Sequence, residues 1–238
     1  MSRAVILLSG GLDSATVAAI AKSSGYELFA LTIDYGQRHR IEIEAAKKIA
    51  DFLGVAEHLI MPMDVRLFGK SALTSEGKGD GEGEEGVPKN VPVEQIGQSI
   101  PSTYVPARNT VFLALALAYA ESVGAEKIYI GISGVDYSGY PDCRPEFLQA
   151  FQTLANLATK AGVSGTPFSI EAPLLSLSKK ETILRGRELG VDYSLTVTCY
   201  DPTPAGNSCE RCESCLLRQR AFREAGFPDP AQEQGGEE

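Results

Sequence analysis

The chain has 238 residues, of which 43% are hydrophobic and 22% charged. These values are ordinary for a soluble globular protein, and the length suits one large α/β domain with or without a small appendage. The most apolar segment, residues 110–119, is about half as long as a membrane span requires. No N-terminal targeting signal is visible, so we expect a cytoplasmic protein without a membrane partner.

The net charge of −9 is concentrated in two stretches. Residues 75–86 contain five acids and one lysine, and the residues after Phe227 contain four acids and no base. We interpret both stretches as solvated, so the charge says little about partners. We predict a flexible loop over 75–100 and a disordered tail over 226–238.

The predicted elements alternate between strands and helices. In chain order they are a strand at 4–8, a helix at 13–22, a strand at 27–34, a helix at 40–54, a strand at 56–62, a helix at 107–125, a strand at 127–132, a helix at 144–162, a strand at 168–173 and a helix at 177–190. The helix at 107–125 is so apolar that we expect it to be buried.

This alternation predicts an α/β fold with a doubly wound, mainly parallel sheet. Such sheets bind ligands at the carboxyl ends of their strands. The loops at 9–14, 34–40, 133–143 and 173–179 all follow strands, so we expect them to share one crevice. Residues 1–198 would then form a nucleotide-binding domain.

The string "SGGLDS" follows the first strand and opens the first helix. Successive amide groups at a glycine turn before a helix form an anion nest. The lysine of a Walker loop and the third glycine of a dinucleotide fingerprint are both missing. From the residues alone, a phosphate loop and a plain tight turn both stay open.

In full, this motif resembles the pyrophosphate loop of the ATP pyrophosphatase superfamily, also called the PP-loop superfamily. The resemblance implies that ATP is split to AMP and pyrophosphate, with the loop holding the leaving pyrophosphate. It also implies an ATP site formed by Leu8, Ser9, Gly10, Gly11, Leu12, Asp13, Ser14, Ala15, Thr16, Val17 and Ala18.

Four cysteines crowd into residues 199–215, in the spacing C-x9-C-x2-C-x2-C. Two interlocked C-x-x-C turns can close a tetrahedron of thiolates around zinc, and four protein ligands make such a site structural. An iron–sulfur cluster uses the same ligands and is the alternative. We predict a structural zinc ion on Cys199, Cys209, Cys212 and Cys215, in a knuckle over 199–225 with a helix packed on it. The arginines of this segment offset the charge of the site, form a basic patch or are ordinary surface residues; these alternatives stay open.

Four further stretches, "DYGQRHR", "YVPARN", "DYSGYPDCRPEF" and "PLLSLSKKET", accompany the loop and the cysteines in order. Together the motifs resemble the 7-cyano-7-deazaguanine synthase family over residues 4 to about 223. The resemblance implies that 7-carboxy-7-deazaguanine, ammonia and two ATP become a nitrile, two AMP and two pyrophosphate, with Mg²⁺ accompanying ATP. It also implies a homodimer.

Residue roles are hypotheses that rest on residue chemistry and on position near the crevice. Phosphate or catalytic roles fall to Lys179, Arg108 and Arg38, and substrate contacts to Asn109, Asp136, Tyr137, Tyr140, Asp142 and Arg144. The alternatives are a PP-loop enzyme that modifies tRNA, another amide-forming adenylating enzyme, and a zinc-knuckle nucleic-acid binder. We expect no stable nucleic-acid binding, because no further RNA-binding domain fits in this length.

Overall fold

The computed structural model describes residues 2–37, 40–64, 71–74, 86–134, 139–203 and 206–231. Its strands are β1 (Arg3–Leu7), β2 (Glu27–Asp34), β3 (Glu57–Pro62), β4 (Lys127–Tyr129) and β5 (Ser169–Glu171). Its α-helices are α1 (Leu12–Ser23), α2 (Ile41–Leu53), α3 (Arg108–Val123), α4 (Pro145–Ala158), α5 (Lys160–Val163), α6 (Lys179–Glu188) and α7 (Glu213–Ala225).

The five strands form one parallel sheet in the order β3-β2-β1-β4-β5. The order reverses beside β1, because β2 and β3 lie on one side of it while β4 and β5 lie on the other. A crevice forms at such a reversal, outside the carboxyl ends of the strands. The predicted α/β fold and parallel sheet are confirmed.

Alternate residues of β1 face the two sides of the sheet, as the two-residue period of a strand requires. Val5 and Leu7 pack in a core with α3 and α4, whereas Ala4 and Ile6 pack in a core with α1 and α2. Both faces are therefore covered, which explains why the strand sequences are continuously apolar.

Two predicted helices differ from the structure. The helix at 144–162 is divided at Thr159, which ends α4 and caps α5 with its side-chain oxygen. The apolar helix α3 buries one face only: Leu113 and Ala116 are fully buried, whereas Ala114 and Ala118 on the other side are exposed. Alanine makes a helix apolar without requiring burial, because its side chain is small.

The predicted loop and tail are partly packed. Within 86–100, Val87 is buried and Lys89 pairs with Asp201 at 2.9 Å. In the predicted tail, Asp229 is buried and paired with Arg218. These described residues are held by packing or by an ion pair, and the flexible loop over 75–100 and the disordered tail over 226–238 stay predictions. Residues 75–85 and 232–238 lie outside the described residues. Among the helices that the structure describes, none has the length and apolarity to cross a membrane.

Candidate active site

A cavity of about 250 Å³ lies at the carboxyl ends of the central strands. Its floor includes Leu8 after β1, Thr32 in β2 and Gly131 after β4. The loop between β1 and α1 borders it on one side, and the first turn of α3 borders it on another. The predicted shared crevice is thus present at the reversal of strand order.

The glycine turn of the predicted phosphate loop is fixed by its surroundings. Gly10 has φ +88°, and a Cβ atom there would lie 2.1 Å from the carbonyl oxygen of Glu42. Only glycine tolerates both conditions. The turn therefore packs directly on α2, and the backbone that follows is directed into the cavity.

Two serine hydroxyls brace the loop from within. Ser14 Oγ donates to the carbonyl of Gly11 at 3.0 Å and accepts from the amide of Ser9 at 3.2 Å. Ser9 Oγ accepts from the amide of Gly11 at 3.3 Å. Six of the eleven predicted ATP-site residues line the cavity, namely Leu8, Ser9, Gly11, Leu12, Asp13 and Ser14. The other five, Gly10, Ala15, Thr16, Val17 and Ala18, hold the loop and α1 in place instead: Ala15, Thr16, Val17 and Ala18 are almost fully buried.

Lys179 lies in the cavity wall at the first residue of α6. The helix begins there because Ser178 and Glu181 form a reciprocal capping box. Lys179 Nζ lies 2.5 Å from Asp13 Oδ2, and the two side chains are only 18% and 22% exposed. The sequence-predicted cation therefore stands beside the phosphate loop, although its role stays a prediction.

Arg108 is partly buried and faces the opposite part of the cavity. Ala107, at φ 52°, turns the chain into α3 and so directs the following residue. Burial disfavours the guanidinium charge, but the oxygens of Tyr35, Tyr200 and Tyr140 more than offset this, so the pKa of Arg108 lies above its ordinary value. Its carbon Cζ also lies 5.9 Å from the centre of the Tyr35 ring. Among the residues that the structure describes, no carboxylate forms a salt bridge with Arg108.

The predicted substrate residues are divided by the structure. Asn109 and Tyr140 line the cavity. Asp142 is buried beside it and accepts from the amide of Asn109 at 2.8 Å, so this carboxylate completes the N-terminus of α3. Arg144 precedes α4 and is exposed, outside the cavity lining. The predicted residues Arg38, Asp136 and Tyr137 lie outside the described residues.

Sequence reasoning missed one wall of the cavity. This wall includes Thr198 and, from helix α7, the residues Leu217, Arg218 and Ala221. The cysteine segment therefore contributes to the wall of the cavity. Nothing in the local sequence pattern indicates this, because the contact joins the two ends of the chain. The burial of Arg218 was also missed.

The four clustered cysteines form the predicted metal site. Their sulfur atoms all lie within 4.8 Å of one another, with 3.4 Å between Cys212 and Cys215 and 4.0 Å between Cys209 and Cys215. A tetrahedral zinc site with bonds of about 2.3 Å has sulfur–sulfur separations of about 3.8 Å. Backbone amides support the sulfurs: Cys209 N donates to Cys199 Sγ at 3.2 Å. Hydrogen bonding to Cys199 raises the pKa of the Cys215 thiol, and a bound cation would favour its thiolate form instead. The cluster can hold a metal ion such as zinc.

The chain is similar to known proteins over nearly its whole length. Three of them are named 7-cyano-7-deazaguanine synthase. The one from Paramagnetospirillum magneticum is 55% identical over 98% of this chain and 99% of its own length. Those from Syntrophus aciditrophicus and Legionella pneumophila are each 56% identical, the first over 96% of both chains and the second over 98% of both. The family model described as "Queuosine biosynthesis protein QueC" matches residues 3–226. This chain therefore belongs to the QueC family of queuosine biosynthesis proteins.

Proposed function

We propose that this protein converts 7-carboxy-7-deazaguanine, ammonia and two ATP into 7-cyano-7-deazaguanine, two AMP and two pyrophosphate. One observation carries the proposal: a single cavity joins a glycine loop suited to pyrophosphate with a partly buried arginine, Arg108, suited to a carboxylate. Family membership and the names of the relatives support the same reaction.

Two rounds of adenylation account for the loop. In the first, a carboxylate oxygen attacks the α-phosphorus of ATP and pyrophosphate leaves. Ammonia then attacks the acyl carbon, and AMP departs with that oxygen to leave the amide. In the second, the amide oxygen attacks another ATP, after which loss of AMP and of two protons from nitrogen leaves the nitrile. Both rounds require stabilisation of pyrophosphate as a leaving group.

The proposed roles follow the two sides of the cavity. Lys179 would neutralise the departing pyrophosphate beside the amides of the loop. Arg108 would bind the substrate carboxylate, because a planar guanidinium matches a carboxylate with two parallel hydrogen bonds. Asn109 and Tyr140 would contact the ring, with Asp142 holding Asn109 in position. Arg38, Asp136 and Tyr137 keep their sequence-based proposals.

We also propose that Mg²⁺ accompanies ATP. Magnesium is commonly held by one or two carboxylates together with substrate phosphates. Asp13 and Glu42 are carboxylates in the cavity lining, and Asp13 belongs to the loop itself. Bound Mg²⁺ would neutralise phosphate charge, and an incoming metal would compete with Lys179 for Asp13.

We propose that the cysteine cluster holds one structural zinc ion. A single tetrahedral ion fits sulfurs within 4.8 Å of one another, whereas a cluster with thiolates on several irons would place them farther apart. Thiolate sites persist in a reducing compartment, which supports the proposed cytoplasmic location. Metal analysis should give one zinc per chain. Cys212→Ser should lose metal and lower the unfolding temperature, whereas Cys143→Ser should keep the metal; retained zinc in Cys212→Ser would contradict this assignment.

We propose a homodimer for this protein, as the family resemblance implies. Leu154 and Leu157 on α4 and Val163 on α5 are 51%, 75% and 72% exposed, which supports a covered surface in the assembly. Light scattering of the purified protein should give twice the chain mass, and Leu157→Glu should shift it towards the monomer. A monomeric wild-type protein would contradict the proposal.

The reaction is tested by isotope transfer. Purified protein is incubated with ATP, Mg²⁺, ammonium and substrate carrying oxygen-18 in both carboxyl positions. We expect two AMP per nitrile, each with one labelled oxygen, by mass spectrometry. No AMP above background would overturn the function, and unlabelled AMP would overturn the adenylation steps. Replacing the substrate with tRNA tests the alternative of a tRNA-modifying enzyme.

A further inference from the structure

A buried arginine in α7 links the cysteine segment to the phosphate loop. Arg218 is 7% exposed, and its Nε and Nη2 atoms donate to the two carboxylate oxygens of Asp229 at 2.7 and 2.8 Å. Its Nη1 atom donates to Thr196 Oγ1 at 2.7 Å and to Thr198 Oγ1 at 2.8 Å, and Nη2 also donates to the carbonyl of Tyr193 at 3.0 Å.

These five contacts use all five N–H groups of the guanidinium. Although Arg218 borders the cavity, it has no donor left for a ligand. Its hydrogen bonds instead fix residues 193–198, which precede the first cysteine ligand, against α7. Lysine cannot make these five contacts, because its three N–H donors are all on one nitrogen atom.

The fixed segment contacts the phosphate loop at two points. The amide of Val197 donates to the carbonyl of Gly10 at 3.0 Å. Tyr193 Oη lies 2.8 Å from Thr16 Oγ1, one turn into α1. Because the carbonyl and amide of one peptide unit point in opposite directions, holding the Gly10 carbonyl also fixes the direction of the Gly11 N–H. Gly11 and Ser9 both line the cavity, and the Gly11 N–H donates to Ser9 Oγ at 3.3 Å, so the Val197 contact sets the orientation of loop groups that an incoming pyrophosphate would meet.

We infer that Arg218 is a positioning residue for the pyrophosphate loop, acting through residues 193–198. The inference deepens the proposed function, because it rests on pyrophosphate binding at this loop. A residue that only stabilised the fold would weaken all ligands alike. A positioning residue would weaken pyrophosphate and spare the substrate bound at Arg108 on the other side of the cavity.

The test measures two affinities by calorimetry, for inorganic pyrophosphate with Mg²⁺ and for 7-carboxy-7-deazaguanine. Arg218→Lys keeps the charge but loses the planar set of five donors. Thr196→Val removes, at nearly constant volume, one hydroxyl that accepts from Arg218 and donates to the carbonyl of Tyr193. We expect the Kd for pyrophosphate to rise about tenfold in Arg218→Lys, a change worth about 1.4 kcal/mol, and about threefold in Thr196→Val. The Kd for the acid should stay within about twofold of wild type.

Lys127→Gln provides the matched control. It breaks another ion pair, with Glu171 at 2.5 Å, at the amino end of β4 and away from the cavity. This variant should leave both affinities unchanged even though its stability falls. Should Arg218→Lys fail to fold, Thr196→Val decides the question alone.

The outcomes separate this inference from the proposed function. Pyrophosphate that binds all variants as tightly as wild type overturns the positioning role alone. Equal weakening of pyrophosphate and acid also overturns it, in favour of general loosening. A wild-type protein that does not bind pyrophosphate overturns the proposed site and this inference together.

Discussion

Lys179 Nζ lies 2.5 Å from Asp13 Oδ2, although 166 positions separate the two residues in sequence. The contact joins the start of α6 to the first turn of α1 at the edge of the cavity. An ammonium group next to a carboxylate is held in place without ligand and carries the charge that phosphates attract. In the proposed function, ATP with Mg²⁺ would exchange partners at this pair without large rearrangement.

Replacing Lys179 with alanine should lower kcat/KM for ATP about 100-fold, close to what loss of one charge-stabilising group costs in other enzymes. The substrate acid should bind as before, because Arg108 lies elsewhere. Steady-state AMP release and the thermal unfolding temperature are the measurements. Lys180→Ala is the matched control, since Lys180 is exposed and adjacent in sequence. Equal activities of the two variants would remove Lys179 from the site.

Arg108→Gln should raise the Kd for 7-carboxy-7-deazaguanine by a factor of about 10 to 100, the usual consequence of losing a charge-assisted pair. Its binding to 7-amido-7-deazaguanine, which has no carboxylate, should change far less. Arg144→Gln is the control because Arg144 is exposed outside the cavity lining. Calorimetry with both ligands separates the cases. An equal loss of affinity for the acid and for the amide would show that Arg108 contacts the ring or supports the fold, and does not bind the carboxylate.

Gly10→Ala should prevent stable folding of the phosphate loop. The new Cβ would lie 2.1 Å from the Glu42 carbonyl oxygen at a backbone φ of +88°. Gly25→Ala separates the two effects, because Gly25 has φ +85° with no atom within 4 Å of such a Cβ. Backbone strain alone costs roughly 1–2 kcal/mol, so chemical denaturation should show a modest loss for Gly25→Ala and a larger one for Gly10→Ala. Similar losses of unfolding free energy in the two variants would show that the backbone of α2 moves to accommodate the new Cβ atom.

The strands and the loop were predictable because their signals are local. Continuous apolar runs predicted β2 over its full observed range, and "SGGLDS" predicted the turn that Gly10 makes against α2. The substrate side was less accessible to sequence reasoning. Asp142 is a carboxylate in a loop that borders the cavity, as a substrate contact requires. Its carboxylate nevertheless accepts a hydrogen bond from the backbone amide of Asn109. Nor does a helical pattern reveal that Arg218 meets a carboxylate beyond the end of its own helix. The partners of Asp142 and Arg218 are determined by tertiary contacts between distant segments, which local sequence patterns do not show.

The stability of the protein should fall as the pH decreases below about 6.5, partly because of His58. Thr32 Oγ1 donates its one proton to the carbonyl of Leu8, so it must accept the contact at 2.8 Å from His58 Nε2–H. Burial lowers the pKa of His58 below 6.5. Between the folded and unfolded pKa values the unfolded chain therefore binds more protons, and the free energy of unfolding falls with decreasing pH, by at most about 1.4 kcal/mol per pH unit for one group.

His58→Gln isolates this contribution, because glutamine retains an N–H donor for Thr32 but does not titrate. Denaturant unfolding at several values between pH 5 and pH 8 (about the range in which histidine changes charge) should give a shallower dependence for the variant than for wild type. The other histidine, His39, is present in both proteins and cancels in the difference. Parallel pH profiles would mean that His58 keeps its proton equilibrium on folding. A shallower profile would locate the proton sensitivity at the β2–β3 pair that supports Thr32 in the cavity floor.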